Sequence, residues 1–262
     1  MTADPLPAPL PILILGGTTE AYALAERLAL TEALAVVTSL AGRTQNPRKP
    51  AGALRIGGFG GIEGLATYLR ATQTRAVIDA THPFARRMGW HAAAACEQAG
   101  VPLLRLERPA WTPGPGDAWT LVDTWEEAVA RLDARGARRV LLALGRQELA
   151  PFATLDHTWF LIRSVDPPDP LPAFARAQVL LARGPFSLDD ETALLRDQAI
   201  DTVVCKNSGG SATDAKLAAA RALGVEVIVQ RRPPRPAGVP TVARVPEAVA
   251  WLEATLAGPL RA

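Results

Sequence analysis

Cysteine, lysine and long apolar runs are all scarce in this chain, and each shortage removes a class of protein. Two cysteines, Cys96 and Cys205, cannot build a disulfide framework. A reducing, cytoplasmic setting and two inert core thiols are expected. No apolar run approaches the roughly 18 residues of a membrane span, and the opening Met1-Thr2-Ala3-Asp4-Pro5 has neither the basic nor the hydrophobic stretch of a signal peptide. No membrane partner is expected. The net charge of only +2 lacks the basic field of a nucleic-acid binder. Lysine is confined to Lys49, Lys206 and Lys216, so 25 of the 28 basic residues are arginines. A GC-rich genome, which the abundant Ala, Pro and Gly also suggest, explains much of that bias. Arginine forks nonetheless pair with carboxylates and phosphates in a bidentate way that lysine cannot, so arginines beside loops are candidate anion ligands.

What is present is ordinary globular material: 262 residues, 48% hydrophobic and 21% charged, enough for two medium domains. Apolar strand-like runs alternate with helix-like segments, the pattern of α/β folds with a parallel sheet between helices. Strands are expected near 11–15, 35–39, 53–56, 75–80 and 101–106, with helices near 20–30, 61–71 and 85–99. A Pro/Gly-rich passage, Arg108 to Gly116, reads as a linker. Beyond it, strands are expected near 118–122, 138–144, 158–163, 178–183, 201–205 and 225–229, and helices near 124–135, 187–198, 211–223 and 246–257. The division is thus a Rossmann-like domain over 1–110 and a second over 111–262, with the last helix able to pack on either. The Pro-rich piece 231–240 reads as a surface loop.

The first strand runs into Gly16-Gly17-Thr18-Thr19-Glu20, a glycine turn that opens a helix. Such a turn holds a pyrophosphate on backbone N–H groups at the helix N-terminus. Thr18 or Thr19 can cap that helix while a hydroxyl reaches a phosphate oxygen. The next strand ends in Ser39, Gly42 and Arg43 rather than in an acid. An acid there suits the ribose hydroxyl of NAD, whereas an arginine with hydroxyl neighbours suits a 2′-phosphate. The cofactor expected is therefore NADPH. After the third strand, Gly57-Gly58-Phe59-Gly60-Gly61 lets backbone approach a ligand, and Phe59 offers an apolar face. The fourth strand ends in Asp79-Ala80-Thr81-His82-Pro83-Phe84-Ala85. Ligands in open α/β sheets bind outside the carboxyl ends of strands, so Thr81, His82 and Pro83 are placed beside the nicotinamide. His82 is the candidate proton donor; its blander reading is a structural cap of the helix that follows.

In the second half, Lys206-Asn207-Ser208-Gly209-Gly210 again takes a strand into a glycine turn, an anion cradle in the making. Arg183-Gly184-Pro185 ends another strand, and Ser187 with Asp190 forms a capping-box-like helix start. Arg146 and Arg163 end two more. Each alone reads as a routine turn; together they suggest an anion-loving wall. No metal site is expected.

Taken in order, Leu15-Gly16-Gly17-Thr18-Thr19-Glu20-Ala21, Ala41-Gly42-Arg43-Thr44, Ile56 to Gly61, Val77 to Ala85, Arg183 to Phe186 and Lys206 to Gly210 resemble the precorrin-6A reductase family of corrin-ring (cobalamin) biosynthesis. The resemblance implies NADPH-dependent reduction of a double bond of precorrin-6A to precorrin-6B, and two Rossmann-like domains with the active site in the cleft between them. The substrate would be a polycarboxylate tetrapyrrole, its carboxylates collected by Arg146, Arg163, Arg183 and Lys206. Hand-over of the product to neighbouring pathway enzymes stays open. Two alternatives stand beside this reading: the cobalt-containing version of the same step, and a non-catalytic NADP(H)-sensing module.

Overall fold

A computed structural model describes residues 8–42 and 48–257. The chain divides into two compact units, Met1–Arg108 with Pro233–Ala262, and Pro109–Arg232. The expected second domain over 111–262 is thus corrected at both ends, most of all at its carboxyl end, where the chain returns to the first unit.

Unit 1 is built from β1 (Leu10–Leu15), α1 (Thr19–Leu28), β2 (Leu34–Leu40), β3 (Ala53–Ile56), α2 (Gly61–Ala71), β4 (Ala76–Asp79), α3 (Arg86–Ala99) and β5 (Leu103–Leu106). The alternation of β1 sends Ile12 and Ile14 to one face and Leu13 and Leu15 to the other, and all four are buried. Helices α1 and α2 present buried stripes, Ala21, Leu24, Ala25 and Leu28 in one and Leu65, Ala66 and Leu69 in the other. Each leucine of these stripes withdrawn from water stabilises the layer by roughly 1.5–3 kcal/mol, the alanines by much less.

Unit 2 contains β6 (Trp119–Val122), α4 (Trp125–Arg135), β7 (Arg139–Ala143), a 3₁₀ turn (Ala150–Thr154), β8 (Trp159–Ser164), β9 (Ala177–Leu181), α5 (Leu188–Asp197), β10 (Thr202–Lys206), α6 (Ala215–Leu223) and β11 (Glu226–Gln230). The Ser187 cap is present: its hydroxyl accepts from Asp190 N at 3.1 Å. The chain then returns to unit 1 as β12 (Thr241–Val242) and α7 (Val245–Ala257). Pairing of β12 with β5, and burial of Ala248 and Leu252 in the core beneath α1, assign this segment to unit 1.

Both sheets are six-stranded and every strand pair is parallel: β12-β5-β4-β1-β2-β3 in unit 1 and β6-β11-β10-β7-β8-β9 in unit 2. Helices cover both faces of each sheet, the doubly wound arrangement whose ligands meet the carboxyl ends of the strands.

Candidate functional site

At the end of β1, Gly16 N donates to Ser39 O at 2.9 Å, drawing the first turn against β2. A Cβ on Gly16 would lie 2.8 Å from Thr38 Cγ2, so no larger residue fits. Thr18 caps α1, accepting from Ala21 N at 3.2 Å while its hydroxyl donates to Ala80 O at 2.8 Å. Both capacities of that hydroxyl serve the fold and lock the first turn to the end of β4. A phosphate-facing hydroxyl is therefore left to exposed Thr19. Glu20 pairs with Arg108 at 2.8 Å. That pairing offsets a carboxylate which would otherwise repel an anion at the helix N-terminus.

The second strand end holds a feature the sequence reading missed. Ser39 is buried and lies in register with Arg55 on β3. Arg55 donates from Nη1 to Gly57 O at 2.6 Å and from Nη2 to Gly58 O at 2.8 Å, with Ser39 Oγ 3.4 Å from Nη1. Its guanidinium carbon stacks 3.7 Å from the Phe59 ring centroid, and Phe59 packs edge-on to Tyr68 at 5.1 Å. The Gly57–Gly61 loop is thus pinned by a cation beside Ser39. The available signal was an arginine inside a four-residue strand leading directly into the glycines. Gly42 takes φ +72° against Ile56, and Gly60 caps α2 without a side-chain bond. Arg43 and Thr44 lie outside the described residues.

At the end of β4, Asp79 is buried and organises the turn. Its Oδ1 accepts from Thr81 N at 3.0 Å and Thr81 Oγ1 at 2.6 Å, and its Oδ2 takes Arg105 Nη1 at 2.8 Å. Thr81 is therefore turned inward and contributes shape, while Pro83 is buried beside it. His82 Nδ1 accepts from Phe84 N at 3.2 Å, so the neutral ring carries its proton on Nε2.

Unit 2 redistributes the expected anion cradle. Asn207 Oδ1 accepts from Trp111 N at 2.8 Å and its Nδ2 donates to Trp111 O at 2.9 Å. Trp111 Nε1 donates to Gly210 O at 2.8 Å. A Cβ on Gly209 would fall 2.1 Å from Pro109 O, and Arg232 donates to the carbonyls of Asn207 and Ser208. The Asn207–Gly210 turn thus grips the unit's own opening segment. Lys206 pairs with Glu148. Arg163 is buried against Glu191, with its guanidinium 4.2 Å from the Phe186 ring centroid. This replaces the expectation that Arg163 meets substrate carboxylates. Arg146 is half-buried and Arg183 exposed at their strand ends, and Gly184 lies against Ala212 O, with Pro185 exposed beyond it.

Lys216 is buried under Trp111, its Nζ 4.5 Å from that ring centroid, and burial pushes its ammonium below the ordinary range. Burial pushes the Cys96 thiol up to about 12 and raises that of Cys205, which suits inert core positions. A depression of about 550 Å³ lined by Gly136, Arg138, Arg139, His157, Trp159 and Arg176 lies by the amino ends of β7 and β8, the opposite end from a ligand site in such sheets.

The residues of unit 1 fit a nucleotide. A Cβ at Gly17, Gly57, Gly58, Gly60 or Gly61 would meet no atom within 4 Å, leaving open room along turn amides beside a guanidinium and a helix N-terminus. Fold and site together define the class: a doubly wound α/β protein with a dinucleotide-type first turn. The chain matches the family described as Precorrin-6x reductase CbiJ/CobK over residues 11–253, and it belongs to that family of cobalamin-biosynthesis oxidoreductases. It is 51% identical over 241 residues to the precorrin-6A reductase of Rhodococcus erythropolis, covering 92% of this chain and 96% of that relative. It is 31% identical to the cobalt-precorrin-6A reductase of Salmonella typhimurium over 217 residues, covering 76% of this chain and 78% of that one. A solved CobK precorrin-6A reductase superposes with a TM-score of 0.88 at 44% identity, covering 96% of this chain and 99% of its own.

Proposed function

We propose that this chain reduces one double bond of precorrin-6A to give precorrin-6B, with unit 1 holding NADPH. The observation that carries the reading is the carboxyl end of the unit 1 sheet, where the capped glycine turn, the Ser39–Arg55 pair and the His82 turn follow β1, β2 and β3, and β4 in turn. When bound, NADPH supplies a hydride to one carbon of the double bond. The chain's own part is to place that cofactor and to supply charge. Turn amides after Gly16, with Thr19, hold the pyrophosphate, while Ser39, Arg43 and Arg55 favour the 2′-phosphate. The proton for the second carbon comes from the macrocycle nitrogens or from His82, which can give one from Nε2 only as imidazolium, with Nδ1 released from Phe84 N and the neutral ring left behind. In unit 2, Arg146 and Arg183 gather macrocycle carboxylates, each solvent-accessible contact contributing about 0–1 kcal/mol, and Lys206 joins them only by giving up Glu148.

Relatives 47–52% identical are precorrin-6A reductases, whereas those 27–31% identical are cobalt-precorrin-6A reductases. That gradient favours the metal-free substrate. Following the NADPH absorbance band tests the reading: oxidation is expected only when precorrin-6A is supplied, and its absence overturns the assignment. In the same assay, a His82→Ala turnover loss of less than about tenfold removes His82 as general acid, given the usual 10²–10⁴ contribution.

A further inference from the structure

The chain re-enters unit 1 just after Arg232, and a guanidinium from that returning segment reaches the turn after β4. Arg235 Nη2 donates to Pro83 O at 2.6 Å, to His82 O at 3.2 Å and to Glu107 Oε2 at 3.0 Å, while its Nη1 lies 3.3 Å from Ala85 O. One side chain, 150 positions away in sequence from the nearest of them, thus gathers three carbonyls of a single tight turn. Beneath it, Arg105 spans Asp79 at 2.8 Å and Glu107 at 2.6 Å, and Asp79 in turn sets Thr81. Two guanidiniums and two carboxylates form a balanced quartet, with Arg105 and Asp79 only 5% and 2% exposed.

The facing helix is shaped around this quartet. A Cβ on Gly89, in the interior of α3, would lie 3.0 Å from Arg105 Nη1, 3.2 Å from Arg235 Nη1 and 3.4 Å from Asp79 Oδ2. Glycine is a poor helix residue, and here it leaves the quartet its room. The turn's geometry is therefore imposed from a distant segment as well as by its own sequence.

We propose that Arg235 is a positioning residue for the reduction. Through Glu107, Arg105 and Asp79 it holds the His82–Ala85 turn at the distance and angle that hydride delivery requires. The proposal rests on the reading that this turn borders the nicotinamide. A planar fork suits this site, because Nη1 faces Ala85 O while Nη2 faces His82 O, Pro83 O and Glu107, two positions that one ammonium nitrogen cannot occupy together. Misplacement of a reacting group by about 1 Å costs on the order of 10²-fold in rate, whereas none of these Arg235 contacts falls on the turns after β1 and β2.

The test compares Arg235→Ala, Arg235→Lys and Gly89→Ala with the unaltered protein in the precorrin-6A assay, using NADPH and NADPH deuterated at C4. Arg235→Ala is expected to lower kcat about 10- to 100-fold, to leave KM for NADPH within about threefold, and to enlarge the deuterium effect on kcat. Arg235→Lys recovers only part of the loss. Gly89→Ala, which removes no charge and keeps the case open should Arg235→Ala fail to fold, shifts the same two quantities in the same direction but less. Folded variants with unaltered kcat and unaltered deuterium effect overturn the clamp. So does a rise in KM alone, which would mark a cofactor contact. If the unaltered protein itself fails to oxidise NADPH, the functional reading falls first, and that outcome is distinguishable from all of these.

Discussion

The two units lay out one strand order, 3-2-1-4-5-6, but finish it from opposite ends of their chains. In unit 1 the sixth position is filled by β12, the last strand of the protein, and in unit 2 by β6, the unit's first strand. The first crossover differs more consequentially. After β1 comes a capped ten-residue helix whose N-terminus faces the glycine turn, whereas after β7 comes only a five-residue 3₁₀ turn with no side-chain cap. A phosphate-binding turn of this type opens a helix at that point, and among the described residues only unit 1 has a helix there. The glycine turns diverge in the same sense. Gly17, Gly57, Gly58, Gly60 and Gly61 of unit 1 border open space, as does Gly145 after β7, while Gly209 in unit 2 is closed over by Pro109. Topology repeats, and the fillings of the strand ends differ.

The strongest way to break this comparison is to disturb unit 2 and ask whether cofactor binding notices. Arg163→Met leaves Glu191 buried without its partner, which should cost about 3–5 kcal/mol of stability. Urea unfolding followed by tryptophan fluorescence reads this, because four of the six tryptophans, Trp111, Trp119, Trp125 and Trp159, lie in unit 2, and replacing Trp90 and Trp251 of unit 1 by Phe isolates their signal. Adding Glu191→Leu should restore most of the loss. NADPH affinity by calorimetry should stay unchanged in both variants; a large weakening would mean that the units do not divide the work.

A smaller effect sharpens the other side. Arg55→Ala removes a guanidinium from beside Ser39, and a hydrogen bond to a charged group contributes about 1.5–3 kcal/mol. KM for NADPH should rise about 10- to 100-fold, with the value for NADH moving far less. Equal changes for both nucleotides would reduce Arg55 to a brace of the Gly57–Gly58 carbonyls. Arg43→Ala offers the parallel measurement.

Local chemistry was legible in advance. The alternation of β1, the Thr18 cap, the glycine runs and the Ser187 cap each declare themselves within a few residues, and the strands and helices fall close to their expected places. Legibility failed where the partner is far along the chain. Arg163 looked like an anion ligand because it ends a strand, yet Glu191 on α5 consumes it. Asn207 and Trp111 meet across a separation of 96 residues. Arg235 sits in a proline-rich run with no periodicity to suggest that it is drawn inward, and two-residue β12 is too short to show a pattern. Helix α6 begins at Ala215 rather than 211, in the stretch where Lys216 Nζ bonds Thr213 O ahead of the first turn.

The finest distinction between the units is their response to acid. Asp117 accepts from Arg221 Nε and Nη2 at 2.8 Å each and from Gly114 N at 2.7 Å, and the Arg221 bonds foremost hold its carboxyl below the ordinary 3.8. A lowered folded value means that the unfolded chain binds the proton more readily, so this contribution is present above the ordinary carboxylate range and is lost as pH falls through the folded value. In unit 1, Glu247 is also lowered, by Arg244 and by the amides of Ala243 and Arg244, but its site is exposed and screened by solvent. Asp117→Asn should therefore lower the urea midpoint of the unit 2 fluorescence transition at pH 7 and narrow its gap from the unaltered protein at about pH 3. Glu247→Gln should change that transition little at either pH. A gap for Asp117→Asn that stays constant with pH would show that the carboxylate's hydrogen bonds, rather than its charge, fasten the opening segment of unit 2.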